Sequence, residues 1–165
     1  MTEKAKKPEA SLPTAEISKL LTSLQGLSLA TTSSDNTPLA SYAPFILFNS
    51  HIYVFLSGLS EHTRHMLAAP NVGLMLLAEP DTHKNPFARQ RLSLNAVSRA
   101  LLRDTEQWLE VINAMTLQLG GTMQILRTLP DFTLFELEVN GGNFVKGFGA
   151  AYTLNATDWA EITAI

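Results

Sequence analysis

Leu39-Ala40-Ser41-Tyr42-Ala43-Pro44-Phe45-Ile46-Leu47-Phe48, the pair Asn49-Ser50, and His51-Ile52-Tyr53-Val54-Phe55-Leu56-Ser57 decide the fold class of this chain. Both long runs are rich in β-branched and aromatic residues, and the polar pair between them turns one strand into the next. Pro44 has no amide to donate, which implies a bulge or an edge position. Working outward, Leu27-Ser28-Leu29-Ala30-Thr31-Thr32 alternates with a period of two, and Ser33-Ser34-Asp35-Asn36-Thr37-Pro38 turns it into the quoted hairpin. The three runs form a meander. Val72–Ala78, Leu92–Leu102 and Phe132–Val139 read as further strands, with Asn140-Gly141-Gly142 as a hairpin turn into Asn143–Phe148.

Helical spacing interrupts this pattern in three places. Ile17, Leu20, Leu21 and Leu24 share one face of a segment that Ser11 or Thr14 could cap and Gly26 ends. Ser60 can cap a helix over Glu61–Ala69 that stops at Pro70-Asn71. Glu106 to Leu119 carries an apolar stripe of Trp108, Leu109, Ile112, Met115 and Leu119, stopped by Gly120-Gly121. Six or seven strands paired in sequence, with two or three helices between them, give a mainly β protein with α: an antiparallel barrel, closed or partly split, with flanking helices plugging its ends. Residues 1–12 read as a disordered tail and 13–165 as a single domain.

The composition narrows the partners. Of 165 residues, 45% are hydrophobic and 16% charged. So low a charged fraction implies a surface buried against a second copy of the chain. The net charge of −3 excludes a general polyanion surface, so no nucleic-acid partner is expected and any anion site must be local. The absence of cysteine removes disulfides, thiolate metal sites and a cysteine nucleophile. No signal peptide and no membrane span can be read, so the expected location is cytoplasmic.

Three groups of residues could meet a ligand. Ser57-Gly58-Leu59-Ser60-Glu61-His62-Thr63-Arg64 joins a strand to a helix start, where hydroxyls, free amides and Arg64 suit a phosphate or carboxylate; the local sequence by itself favours an ordinary capped helix. Asn85-Pro86-Phe87-Ala88-Arg89-Gln90-Arg91-Leu92 places two arginines two residues apart, on one side of a regular strand, able to grip an anion or to lie on a solvated edge. Lys146 in Phe144-Val145-Lys146-Gly147-Phe148-Gly149 is the next cation, beside glycines that admit a flat ring. Asp131 forms a turn or holds a water or proton near a cofactor. His62 and His65 are three apart on a helix, but no third ligand has metal-site spacing, so no metal centre is assigned; His83 reads as exposed in a loop.

Taken in order, Ser41-Tyr42-Ala43-Pro44-Phe45, His62-Thr63-Arg64, Asn85 to Leu92, Asp131-Phe132-Thr133-Leu134-Phe135, and Phe144-Val145-Lys146-Gly147-Phe148-Gly149-Ala150-Ala151-Tyr152 resemble the haem-utilisation proteins of the HugZ/HutZ type. Those belong to the pyridoxamine-5′-phosphate-oxidase-like, FMN-binding split-barrel superfamily. The resemblance implies a split-barrel homodimer binding FMN or haem at the subunit interface, and an oxidoreductase role in haem degradation and iron acquisition. Its alternatives are an FMN flavoprotein without haem activity or a non-catalytic haem or flavin carrier. It places cofactor contacts at Ser41, Ser57, His62, Thr63 and Arg64, with Arg89 and Arg91 nearby; the residues themselves add Lys146 as a further cofactor contact and Asp131 as the catalytic candidate. Flavin-using relatives carry an Arg-Lys pair where Glu61 and His62 stand here. The haem branch draws its axial histidine from beyond the Gly-Phe-Gly motif, whereas no histidine follows His83 in this sequence, so the axial ligand is left unassigned. The vitamin B6 oxidase reaction itself is not expected, because the substrate-binding C-terminal segment of that enzyme has no counterpart here.

Overall fold

The computed structural model describes residues 11–80 and 85–164. Seven strands make one antiparallel sheet: β1 (Gly26–Thr32), β2 (Pro38–Phe48), β3 (His51–Ser57), β4 (Asn71–Leu77), β5 (Arg91–Ala100), β6 (Phe132–Gly147) and β7 (Ala150–Asn155). Their order is β3-β2-β1-β4-β5-β6-β7, and β3 also pairs with β6, which closes six strands into a barrel and leaves β7 outside it on β6. The helices are α1 (Thr14–Ser23), α2 (Glu61–Ala68), α3 (Glu106–Leu119), α4 (Thr122–Leu126) and α5 (Ala156–Thr163), with a 3₁₀ turn at Pro86–Ala88. The expected disorder of residues 1–12 falls mainly on residues 1–10, and the exposed reading of His83 on residues 81–84; both lie outside the described residues. Leu12 packs against the core.

Two cores explain where simple alternation holds and where it fails. Leu27, Leu29, Leu74, Leu92, Leu94, Phe135 and Phe144 fill the barrel. On β3, Ile52, Val54 and Leu56 point into that core while Tyr53 and Phe55 point outward into a second one. Trp108, Val111, Ile112 and Met115 of α3 cover this outer face, so β3 is buried on both sides. Each such side chain contributes about 1.5–3 kcal/mol of apolar transfer energy. The α3 stripe differs from the expected one: Leu109 is exposed and Val111 takes its place inside. Thr105 caps α3 by accepting the Trp108 amide at 3.3 Å, and Gly120 ends it at φ 85°.

The expected hairpin at Asn140-Gly141-Gly142 is absent. β6 runs straight through it for 16 residues, with a bulge where Asn95 faces Gly141 and Ala96 faces Val139. A Cβ on Gly142 would stand 2.2 Å from the Ser93 carbonyl oxygen, so the glycine serves close strand contact rather than a turn. The true turn is Phe148-Gly149, with Gly149 at φ 71°, leading into β7. Pro44 is neither at an edge nor in a bulge. It ends the pairing with β1 at Gly26, and Phe45 begins the pairing with β3, so the missing amide falls at the changeover. Neither Ser11 nor Thr14 caps α1: Pro13 holds the N-cap, with no side-chain capping bond.

Helices close both ends of the barrel. α1 and α5 lie at the end that holds the start of β1 and the β2–β3 turn, where Trp159 Nε1 donates to the Ser50 carbonyl at 2.9 Å. α2 lies at the opposite end, where β1 and β3 finish.

Candidate functional site

The expected site residues fall into two groups, one at each end of the barrel. The first surrounds the start of α2. Ser57 Oγ donates to Asp131 Oδ2 at 2.8 Å, the Leu59 amide donates to Ser57 Oγ at 3.2 Å, and the Gly58 amide donates to the Asp131 carbonyl at 2.7 Å. Strand β6 begins opposite the end of β3, with Ser57 facing Phe132, and this pairing carries Asp131 to the β3–α2 loop. Thr63 is fully buried and donates its hydroxyl to the Ser57 carbonyl at 2.6 Å, so it shapes the loop. Arg64 is exposed, with one amino group on the Leu59 carbonyl at 3.1 Å. Ser60 stands at the N-cap but makes no side-chain capping bond among the described residues, so the first-turn amides beside Glu61 lack that partner.

His62 turns back to the barrel wall. Its Nδ1 lies 2.9 Å from Ser41 Oγ, and burial, then the nearby His65, hold its pKa below the usual value of 6.5. One turn on, His65 Nδ1 lies 3.0 Å from the buried Thr31 Oγ1. Among the described residues no three His, Asp or Glu side chains gather as a metal site.

The second group sits at the α1 end. Arg89 lies outside β5, as the residue that ends the 3₁₀ turn, so the two arginines do not share a strand face. Its Nε donates to the Ala78 carbonyl at 2.7 Å, which sets the guanidinium in the wall of a cavity of about 270 Å³ lined also by Glu79, Pro86 and Lys146. Arg91 does not line it; its NH1 donates to the Arg89 carbonyl at 3.0 Å and braces the turn. Lys146 is the extra residue of a bulge, since Val145 faces Ala151 and Gly147 faces Ala150. Such a bulge re-aims the side chain, and Lys146 Nζ meets Glu16 Oε1 of α1 at 2.5 Å. Adjoining it through Glu79 is an open groove of about 540 Å³ walled by Tyr42, Met75 and Leu77.

Among the described residues no hydrogen bond joins the two groups, and β6 spans the barrel between them, with Asp131 just before one end and Lys146 at the other. Glu16 and Glu79 were not legible as site residues. Glu16 meets Lys146 across 130 positions of sequence, and no local pattern announces such a pair.

The comparisons with known proteins agree with this architecture. The profile of the family described as Pyridoxamine 5'-phosphate oxidase matches residues 13–146. The chain is 36% identical over 146 residues to the Heme oxygenase HutZ of Vibrio cholerae, covering 88% of this chain and 83% of that protein. Among solved structures it is similar to HutZ, described as the heme storage protein from Vibrio cholerae, with a TM-score of 0.73, 30% identity, and 85% of this chain and 93% of the other covered. It is also similar to Campylobacter jejuni ChuZ, with a TM-score of 0.80, 28% identity, and 87% of this chain and 59% of the other covered. The chain belongs to the pyridoxamine 5'-phosphate oxidase family, and within it to the HugZ/HutZ haem-utilisation type.

Proposed function

We propose that this protein binds haem at the interface of a homodimer and acts in haem utilisation, with Arg89 and Lys146 receiving the propionate edge. The observation that carries this reading is the pair of adjoining hollows at the α1 end, one lined by Arg89 and Lys146 and the other walled in part by Tyr42, Met75 and Leu77. At about 270 Å³ the basic cavity is smaller than the roughly 300–1,000 Å³ that encloses a drug-sized ligand. A flat anionic molecule would therefore place only its charged edge there and rest its ring on Tyr42, Met75 and Leu77. Tyr42 is 65% exposed and Met75 39%, apolar area that a second copy would cover.

The outer face of β2, β1, β4 and β5 supports the homodimer. One row across it reads Tyr42, Ser28, Met75, Ser93, and the next Ala40, Ala30, Gly73, Asn95. Neither row carries a charge, and the small side chains allow close sheet contact. A two-fold axis lying across the strands on this face would bring the α2 end of one protomer to the α1 end of its partner. Ser41, Ser57, His62, Arg64 and Asp131 would then complete a site begun by Arg89 and Lys146.

Bound haem supplies iron and a redox-active ring. This chain would supply cations for the propionates, Asp131 as a fixed carboxylate beside Ser57, and neutral His62, whose Nε2 is a candidate iron ligand. A heme oxygenase and a heme storage protein are both named among the relatives, and the enzyme and carrier readings correspond to them. A second reading, FMN binding, is favoured by the first turn of α2, whose amides have no side-chain cap; Glu61 at that turn opposes a dianionic phosphate. Parallel titrations with haemin and FMN test the proposal. A saturable Soret shift at one haemin per subunit supports it, and quenched flavin fluorescence without a specific haemin spectrum transfers the protein to the flavin side. Incubating the haemin complex with a reductant and oxygen then separates enzyme from carrier, since only the enzyme loses its Soret band to a ring-opened product.

A further inference from the structure

We infer that Glu16 of α1 is an internal competitor for the ligand's anionic group, holding Lys146 until a carboxylate displaces it. This rests on the haem-binding reading of the same cavity. Lys146 lines the cavity together with Arg89, and its Nζ lies 2.5 Å from Glu16 Oε1. The bulge at Lys146 makes the contact possible, because a regular strand would continue the alternation from Val145 to Gly147. The pair is solvent-accessible, with side chains 45% and 40% exposed, so an incoming anion can reach it without unfolding either element. The bond to Lys146 holds the Glu16 carboxyl below the ordinary carboxylate range, and the same bond raises the Lys146 pKa, so both stay charged at neutral pH.

The exchange is one of like partners. Lys146 gives up one carboxylate and takes another, and Glu16 returns to water. Glu79, also on the cavity wall, keeps an anion near and adds to the selection. The site therefore favours a ligand whose negative charges can be gripped by Arg89 and Lys146 together over a singly charged one that must pay the same displacement for one contact.

The test is a haemin titration of the full chain at low and high salt, comparing wild type with Glu16→Gln, Lys146→Met and the double variant. Thermal melts of each verify the fold, and Glu16→Ala serves as a second replacement. Removing the competitor tightens haemin binding by about two- to five-fold at low salt, the range of an exposed ion pair. The gain disappears at high salt and in the Lys146→Met background. Unchanged affinity in Glu16→Gln and Glu16→Ala, while Lys146→Met weakens binding, overturns the competitor role and leaves the haem reading standing. A gain of equal size in the Lys146→Met background also overturns it, because Glu16 would then act elsewhere. Absence of saturable haemin binding in wild type and in every variant removes both readings.

Discussion

His62 Nδ1 and Ser41 Oγ lie 2.9 Å apart, and the serine hydroxyl is also 3.3 Å from the Leu29 carbonyl, to which it donates. With that hydrogen spent, Ser41 accepts from His62, which fixes the Nδ1–H tautomer and leaves Nε2 as the free acceptor. Burial, reinforced by His65, keeps the ring neutral. A histidine with a depressed folded pKa binds its proton in the unfolded state first, so stability falls as the pH drops below about 6.5, and this group's contribution levels off once the folded state is protonated too. The melting temperature of wild type should decline over this window, and that of His62→Gln should decline less. Identical slopes would show that His62 is not the group that titrates.

Glu136 is buried under α3 yet accepts three hydrogen bonds: Tyr53 OH at 2.7 Å, Arg99 NH2 at 2.9 Å and Gln107 Nε2 at 3.0 Å. Burial pushes its pKa up, but the bonds from Tyr53 and Arg99 outweigh this and the net shift is downward from 4.5. Its contribution is present above pH 4.5 and lost as the pH falls through the folded value. Glu136→Ala strands the Tyr53 hydroxyl and should cost about 1–3 kcal/mol, discounted because Arg99 remains in water. Burial, then Glu136, pushes the Tyr53 phenol up to about 12. That contribution is present below pH 10 and fades towards 12. Alkaline titration at the tyrosinate band should show Tyr53 ionising at lower pH in Glu136→Gln.

Gly142 and Gly147 sit five residues apart on β6 with opposite surroundings. A Cβ at 142 meets backbone, the Ser93 oxygen at 2.2 Å and Leu94 Cα at 3.0 Å, whereas nothing lies within 4 Å at 147. Gly142→Ala should destabilise by about 1–3 kcal/mol, as overpacking against a rigid strand does. Gly147→Ala should stay within about 0.5 kcal/mol of wild type. Urea melts of the two variants check the contrast.

Ser98 Oγ is buried without a hydrogen-bond partner, alone in this among the side-chain atoms of the described residues. Its hydroxyl lost water and gained nothing, so Ser98→Ala should be neutral or stabilising by up to about 1 kcal/mol. A clear loss of stability in thermal melts would mean that the hydroxyl is bonded in solution.

The barrel was legible because β1 and β5 alternate with a period of two while β3 and β4 read as short apolar runs between turns, and β3 and α3 fall where their patterns end. β7 and α5 escaped notice. The Asn155 side chain accepts from the Asp158 amide and the Asp158 side chain from the Asn155 amide, a capping box with Asp in place of the usual Glu. The Asn-Gly-Gly sequence signalled a turn because local propensity cannot see that Ser93 presses on Gly142 from another strand. The site was legible as residue types and not as geometry. Arg89 and Arg91 looked equivalent, but one lines a cavity and the other braces the turn behind it.

The central claim is that Arg89 and its cavity hold the anionic edge of haem. Haemin titration of wild type against Arg89→Ala, followed at the Soret band with thermal melts as a check on folding, tests it most directly. The prediction is saturation at one haemin per subunit in wild type and about ten- to hundred-fold weaker binding in Arg89→Ala, the worth of a charge-assisted hydrogen bond. Equal affinity in the two folded proteins would contradict the claim.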